Sequence, residues 1–173
     1  FVYRDSVEVM MSHFKDLGWT SKGGNAVCLR SRRSPPKLLK EIVKDQGRET
    51  RDLSNMEFCA AHLASLCESA LREYDRAGDN SKGRFINYSS LPDVMWDEIL
   101  PNHFGVGPGE QDVERMKEVA TSYSKGGKQR NSNKEWMDDS QKKQDKANEE
   151  IRNAVDIFLK GSFQRLEELS GAQ

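Results

Sequence analysis

The chain is poor in the features that place a sequence in a class at once. Its 173 residues include three cysteines, and an odd number at irregular spacing is neither a disulfide framework nor a zinc signature. Cys59 and Cys67 fall on the apolar face of a predicted helix, so we expect them to be buried free thiols. No apolar run approaches the roughly 18 residues of a membrane span, and no signal peptide is recognisable. We therefore expect no membrane segment in this chain.

An excess of charge of one sign is also missing. The 27 Lys and Arg residues nearly balance the 28 Asp and Glu residues, and the formal net charge is −1. With so little net charge, the chain has no overall electrostatic field that would attract nucleic acid. We therefore do not expect nucleic acid as a partner. Positive charge is concentrated locally, in residues 20–52, where Arg30, Arg32 and Arg33 precede two prolines. This stretch is poor in large apolar side chains, and we interpret it as a basic surface excursion.

An initiating methionine is missing too. The chain opens at Phe1 and continues with apolar residues, as if it began inside a structural element. We therefore expect a partial domain, and the compartment of the protein stays open.

Two short apolar runs predict buried strands. Residues 1–3 precede a turn, and residues 84–88 follow a Gly-containing loop. A strand, a turn and a helix in succession form the usual unit of an α/β sheet, in which ligands bind at the carboxyl ends of the strands. We therefore expect a helix-rich α/β domain.

Apolar residues at three- and four-residue spacing predict the helices. The clearest helix covers residues 53–77, where Asp52 or Ser54 can cap the start and Gly78 can end it. The others are expected, in chain order, at residues 7–17, 37–44, 91–100, 113–123, 147–159 and 163–169.

One short segment suggests chemistry. Arg4 follows the first predicted strand, and Ser12 comes eight residues later on the next helix. A guanidinium can form two charge-assisted hydrogen bonds to a phosphate, and a hydroxyl adds a further donor. The same pattern also fits a structural role, in which Arg4 pairs with Asp5, Glu8 or a neighbouring helix end.

This segment resembles the sulfotransferase motif in which a strand ends in Arg-Asp-Pro and a Ser follows eight residues after the Arg. The resemblance implies that Arg4 and Ser12 bind the 3′-phosphate of 3′-phosphoadenosine-5′-phosphosulfate, the sulfuryl donor. Ser6 stands where the family usually has Pro, which removes some preset backbone geometry but no ligand. The implied fold is the helix-rich C-terminal part of a P-loop-like, parallel-sheet domain, similar to the divergent bacterial and algal members.

Later segments follow the family's order, except for residues 20–52. Residues 85–91 resemble the strand that ends in Tyr-Glu-Asp-Leu, which implies that Tyr88 lies near the adenine, although Ser89 and Ser90 replace the acids. Residues 104–106 resemble Phe-Leu-Gly without its middle residue.

Residues 121–125 resemble the Thr-Ser-Phe segment of the family, which implies that Tyr123 is an aromatic adenine contact. The family's Arg-Lys-Gly segment, which grips the 3′-phosphate, is missing. Lys125, in Lys125-Gly126-Gly127-Lys128, is a candidate substitute. The alternative for this stretch is a solvated loop.

The loop that holds the phosphosulfate group is absent as well. No Gly-x-x-x-x-Gly-Lys-Ser/Thr run occurs, which also argues against a P-loop kinase. In the family this loop and the catalytic base lie upstream, so the catalytic residues stay unassigned. His13, His62 and His103 are interpreted as structural or surface residues. The sulfuryl transfer that the resemblance implies needs no metal ion.

The resemblance therefore implies a sulfotransferase that moves a sulfuryl group from its nucleotide donor to a hydroxyl or amine. The acceptor would be a small molecule or a glycan, and this chain alone should be inactive. The alternative is a non-catalytic, sulfotransferase-like module that binds an acidic partner, such as a sulfated glycan, through its basic stretches. Neither the acceptor nor the oligomeric state can be inferred from the residues.

Overall fold

A computed structural model describes residues 1–14, 26–78, 83–120 and 139–171. The chain divides into two compact units. The larger unit combines Phe1–Asn87 with Ser140–Gln173, and the smaller unit is Tyr88–Asp139.

The larger unit contains a small sheet and most of the helices. In chain order its regular elements are β1 (Val2–Tyr3), α1 (Ser6–Phe14), a 3-10 helix (Val27–Arg33), α2 (Lys37–Asp45), a 3-10 turn (Thr50–Asp52), α3 (Asn55–Ala77), β2 (Ile86–Asn87), α5 (Ser140–Lys146), α6 (Glu149–Phe158) and α7 (Lys160–Gly171). Helix α4 (Glu110–Ala120) lies in the smaller unit.

The two strands pair in parallel, as an α/β arrangement requires. Val2 lies opposite Ile86, and Tyr3 lies opposite Asn87. Both strands coincide with the two apolar runs of the sequence. Because parallel strands end at the same edge, Arg4 leaves the sheet at the edge where β2 also ends.

Local signals explain why α1 begins where it does. The Asp5 carboxylate accepts a hydrogen bond from the Glu8 amide at 3.1 Å, which satisfies one of the amides left open at the helix start. Met10, Met11 and Phe14 are completely buried, so one face of the helix packs into the core.

The longest helix, α3, has well-defined ends. The Ser54 hydroxyl accepts from the Glu57 amide at 3.2 Å, and the Glu57 carboxylate accepts from the Ser54 amide at 2.8 Å. This reciprocal pair is a capping box. Gly78 ends the helix with a φ of 73°, in the left-handed region that favours glycine.

The larger unit has two groups of buried apolar side chains. The first lies between α3 and the helices around it, and its largest fully buried members are Met10, Met11, Phe14, Leu39, Val43, Met56, Phe58, Ile151 and Leu159. The second lies beside the sheet and consists of Tyr3, Leu71, Phe85 and Leu166. The second group fixes the strands against α3 and α7.

The described part of the predicted basic excursion, residues 26–52, has both buried and exposed side chains. Cys28, Leu39 and Val43 are buried in the first group, so this stretch forms part of the core on one side. The expectation of a free thiol at Cys59 is wrong, because Cys59 forms a disulfide with Cys28. Cys67 is a free, partly buried thiol, as expected.

The smaller unit is also helical in its described part. It contains a 3-10 turn (Tyr88–Ser90), a π-type helix (Met95–His103) and α4 (Glu110–Ala120). Trp96 and Ile99 are buried, and the Lys117 ammonium lies 5.9 Å from the centre of the Trp96 ring. Among the described helices of both units, none is long and apolar enough to cross a bilayer.

Candidate functional site at the carboxyl end of β1

Arg4 is the first residue after β1, and its guanidinium contacts Glu8 and Ser140. Its Nε donates to Oε2 of Glu8 at 2.5 Å, and its Nη2 donates to Oγ of Ser140 at 3.2 Å. The Arg4 side chain is 22% exposed, so the contact is partly shielded from solvent. Shielding strengthens electrostatic interactions of this guanidinium.

The Glu8 carboxylate is the centre of this cluster. Glu8 is 7% exposed, and its Oε2 also accepts a hydrogen bond from Oγ of Ser140 at 3.1 Å. Two donors, one at the end of a strand and one on α5, therefore converge on a single carboxylate oxygen. A carboxylate oxygen with such donors is a chemical stand-in for a phosphate oxygen, since both are anionic acceptors.

Helix α5 brings its polar face to α1. The Gln144 amide donates to Oδ1 of Asp5 at 2.7 Å, one turn along the helix from Ser140. Lys143 is 8% exposed and lies three residues after Ser140. The described part of the chain has two buried charged residues, Glu8 and Lys143, and they lie on these two helices.

Ser12 contacts the main chain of Glu8 rather than its carboxylate. The Ser12 hydroxyl donates to the Glu8 main-chain carbonyl at 3.0 Å, four residues back in its own helix. Ser12 is an exposed residue. The two residues of the sequence motif are thus both bonded to Glu8, Arg4 through the carboxylate and Ser12 through the backbone.

Tyr88 follows β2 directly and opens the smaller unit. Tyr88 is 36% exposed. The other two candidate cofactor-binding residues, Tyr123 and Lys125, lie outside the described residues.

Two groups of the cluster were not singled out as site residues from the sequence. Glu8 was considered only as a structural partner of Arg4, although its helical spacing places it on one face with Ser12. Ser140 is 136 residues from Arg4 and has no local pattern that marks it. Only the packing of α5 on α1 reveals it.

The larger unit contains two histidines, His13 and His62. His62 Nδ1 is 3.2 Å from Oγ of Ser31, and burial lowers the pKa of the His62 imidazole. Burial, and then the nearby His62, lower the pKa of His13. A lowered pKa favours the neutral form of each ring. Among the described residues, no group of three or more His, Cys, Asp or Glu side chains could hold a metal ion.

The chain was compared with protein-family models, with curated proteins and with solved structures. None of the three comparisons gives a match. Function must therefore be argued from the motif and from the cluster around Arg4.

Proposed function

We propose that this chain is the nucleotide-recognition part of a sulfotransferase that uses 3′-phosphoadenosine-5′-phosphosulfate. The observation that carries the proposal is the position of Arg4, a guanidinium directly after a strand of a parallel pair. Anionic ligands of α/β domains bind at this edge of the sheet. The P-loop-like architecture of the whole domain is part of the proposal.

In this scheme the role of Arg4 is to bind and orient the 3′-phosphate. A guanidinium suits that role because it stays charged and presents several donors in one plane. Sulfuryl transfer itself would depend on positioning and on stabilisation of charge, as phosphoryl transfer does. The roles of Tyr88 and Tyr123 in cofactor binding rest on the resemblance alone, and that of Ser12 on the resemblance and on its hydroxyl donor. Lys125 is a candidate substitute for a family segment that the chain lacks.

The pairing of Arg4 with Glu8 favours a second candidate function. A guanidinium that is already paired with a buried carboxylate can have a purely structural role. In that case the scaffold would bind an acidic partner, such as a sulfated glycan, through exposed cations outside this cluster. Arg30, Arg33 and Lys40 are exposed and fit that requirement. Arg32 does not, because it donates to the Leu53 carbonyl at 2.5 Å.

Calorimetric titration separates the two functions. Adenosine-3′,5′-bisphosphate and adenosine-5′-phosphate differ only in the 3′-phosphate, and the proposal predicts that the chain binds the first more tightly by at least tenfold. Equal affinity for both nucleotides, or binding of neither, would contradict it. Heparin, a sulfated glycan, serves as the parallel probe. Salt-sensitive heparin binding without 3′-phosphate discrimination would favour the second function.

A further inference from the structure

The convergence of Arg4 and Ser140 on one oxygen of Glu8 goes beyond the sequence motif. The motif contains Arg4 and Ser12, whereas the geometry adds a hydroxyl from α5 and an acid from α1. The Ser140 hydroxyl lies within hydrogen-bond distance of both other members of the cluster, at 3.2 Å from Arg4 Nη2 and 3.1 Å from Glu8 Oε2. Each of the three side chains thus contacts the other two.

We infer that Arg4 and Ser140 form the oxyanion-binding pair for the 3′-phosphate, and that Glu8 occupies this pair until the nucleotide displaces it. The inference rests on the proposed function and deepens it in two ways. It adds Ser140 as a ligand on a part of the chain that the motif does not reach. It also means that the Glu8 carboxylate competes with the phosphate for these two donors and is not itself a ligand of the nucleotide.

The chemistry of the donors supports this exchange. A phosphate oxygen accepts the same guanidinium and hydroxyl hydrogen bonds that Glu8 Oε2 accepts here. The carboxylate and the phosphate are both anions, so they repel each other when they are close to the same donors. Nucleotide binding must therefore move the carboxylate away from Arg4.

Two substitutions at this cluster should then act in opposite directions. Glu8→Gln keeps the size of the side chain and one acceptor oxygen but removes the charge, so we expect about tenfold tighter binding of adenosine-3′-phosphate. Ser140→Ala removes one donor, so we expect roughly three- to tenfold weaker binding. Ser140→Thr keeps the hydroxyl and should retain affinity within about twofold.

Two control variants match these changes. Glu68→Gln removes an acid that pairs with Arg72 at the same four-residue spacing, with the two atoms 3.2 Å apart. It tests whether the loss of any acid tightens anion binding. Gln141→Ala changes α5 at an amide that bonds to Asp145 at 2.8 Å. Both should leave the dissociation constant unchanged, and thermal melts of all variants report whether they fold.

The titrations use the 173-residue chain with adenosine-3′-phosphate and, as the reference, adenosine-5′-phosphate. Tighter binding in Glu8→Gln together with weaker binding in Ser140→Ala is the expected result. If Arg4→Ala abolishes binding while both other variants stay within twofold of the parent, the inference fails and the proposed function stands. Weaker binding in Glu8→Gln would show that Glu8 helps to position the donors. That result would contradict the inference that Glu8 competes with the phosphate. If the parent chain does not distinguish the two nucleotides, the inference fails together with the proposed function.

Discussion

Cys28 and Cys59 form a disulfide, with their Cα atoms 5.2 Å apart. The bond ties the 3-10 helix Val27–Arg33 to α3, inside the first group of buried side chains. It therefore anchors the otherwise polar and basic stretch before α2 to α3, the longest helix among the described residues.

The first prediction concerns the number of thiols. Unfolding the chain in guanidinium without reductant should expose one reactive thiol, Cys67, because the other two cysteines are bonded to each other. Adding a reductant before the assay should raise the count to three. Three thiols without reductant would contradict the disulfide. Ellman's reagent or mass spectrometry after alkylation gives the count.

The disulfide should also stabilise the fold. It links positions separated by 31 residues. A disulfide that closes a loop of that length is expected to add about 3–4 kcal/mol to the free energy of unfolding, mainly by restricting the unfolded chain. We expect the Cys28→Ala/Cys59→Ala double variant to lose roughly that free energy of unfolding in a urea titration. An unchanged midpoint of urea unfolding would contradict the expectation. Cys67→Ala is the control, because Cys67 is not part of the disulfide.

Cys67 should react slowly in the folded chain. Burial raises the pKa of its thiol to about 11. Since the thiolate is the nucleophile, the reactive fraction at pH 8 should be at least about a hundredfold lower than for an exposed cysteine. The rate of modification by Ellman's reagent under native conditions measures this. A rate equal to that of free cysteine would show that the side chain is accessible.

The capping box of α3 leads to a stability prediction. Ser54→Ala removes the acceptor of the Glu57 amide and should cost about 1 kcal/mol, within a range of about 0.5–2. Ser69→Ala, later in the same helix, is the matched control because its hydroxyl only donates back to the Ser65 carbonyl. We expect the control to change the free energy of unfolding by less than about 0.5 kcal/mol. Equal losses in both variants would contradict the role of the cap.

His13 and His62 should make the folded chain sensitive to mild acid. Burial lowers the pKa of both rings in the folded state, whereas the unfolded chain titrates near the ordinary value of about 6.5. Below that pH the unfolded chain binds more protons than the folded chain, so the free energy of unfolding should fall as the pH drops below about 6.5. Urea titrations between pH 5 and 8 measure this, and a His13→Gln/His62→Gln variant should show a flatter dependence. An equally steep dependence in the variant would point to other groups.

Helix α3 shows which parts of the fold the sequence could predict. Its apolar spacing, its Ser54 cap and its Gly78 end are all local signals, and the observed helix Asn55–Ala77 agrees with each of them. The two short strands were predicted for the same reason, because apolar runs beside turns are local patterns. Their parallel register depends on distant contacts and required the structure.

Long-range partners explain what the sequence could not predict. The bond between Cys28 and Cys59 joins positions that share no spacing pattern, so an odd cysteine count pointed to free thiols instead. In the same way, Ser140 reaches Arg4 only because α5 packs on α1. The partnership of Arg4 with Glu8 was one of the alternatives that the sequence left open, since four-residue spacing allows it.

The most direct test of the central proposal is the affinity of Arg4→Ala for adenosine-3′,5′-bisphosphate, measured by calorimetry beside Arg72→Ala. Arg72 is a suitable control because it forms an exposed pair with Glu68 on α3. If Arg4 binds the 3′-phosphate, its loss should raise the dissociation constant at least tenfold, while Arg72→Ala stays within about twofold of the parent chain. A dissociation constant that Arg4→Ala leaves unchanged, in a variant that melts as a folded protein, would contradict the proposal and leave Arg4 with a structural role in its pair with Glu8.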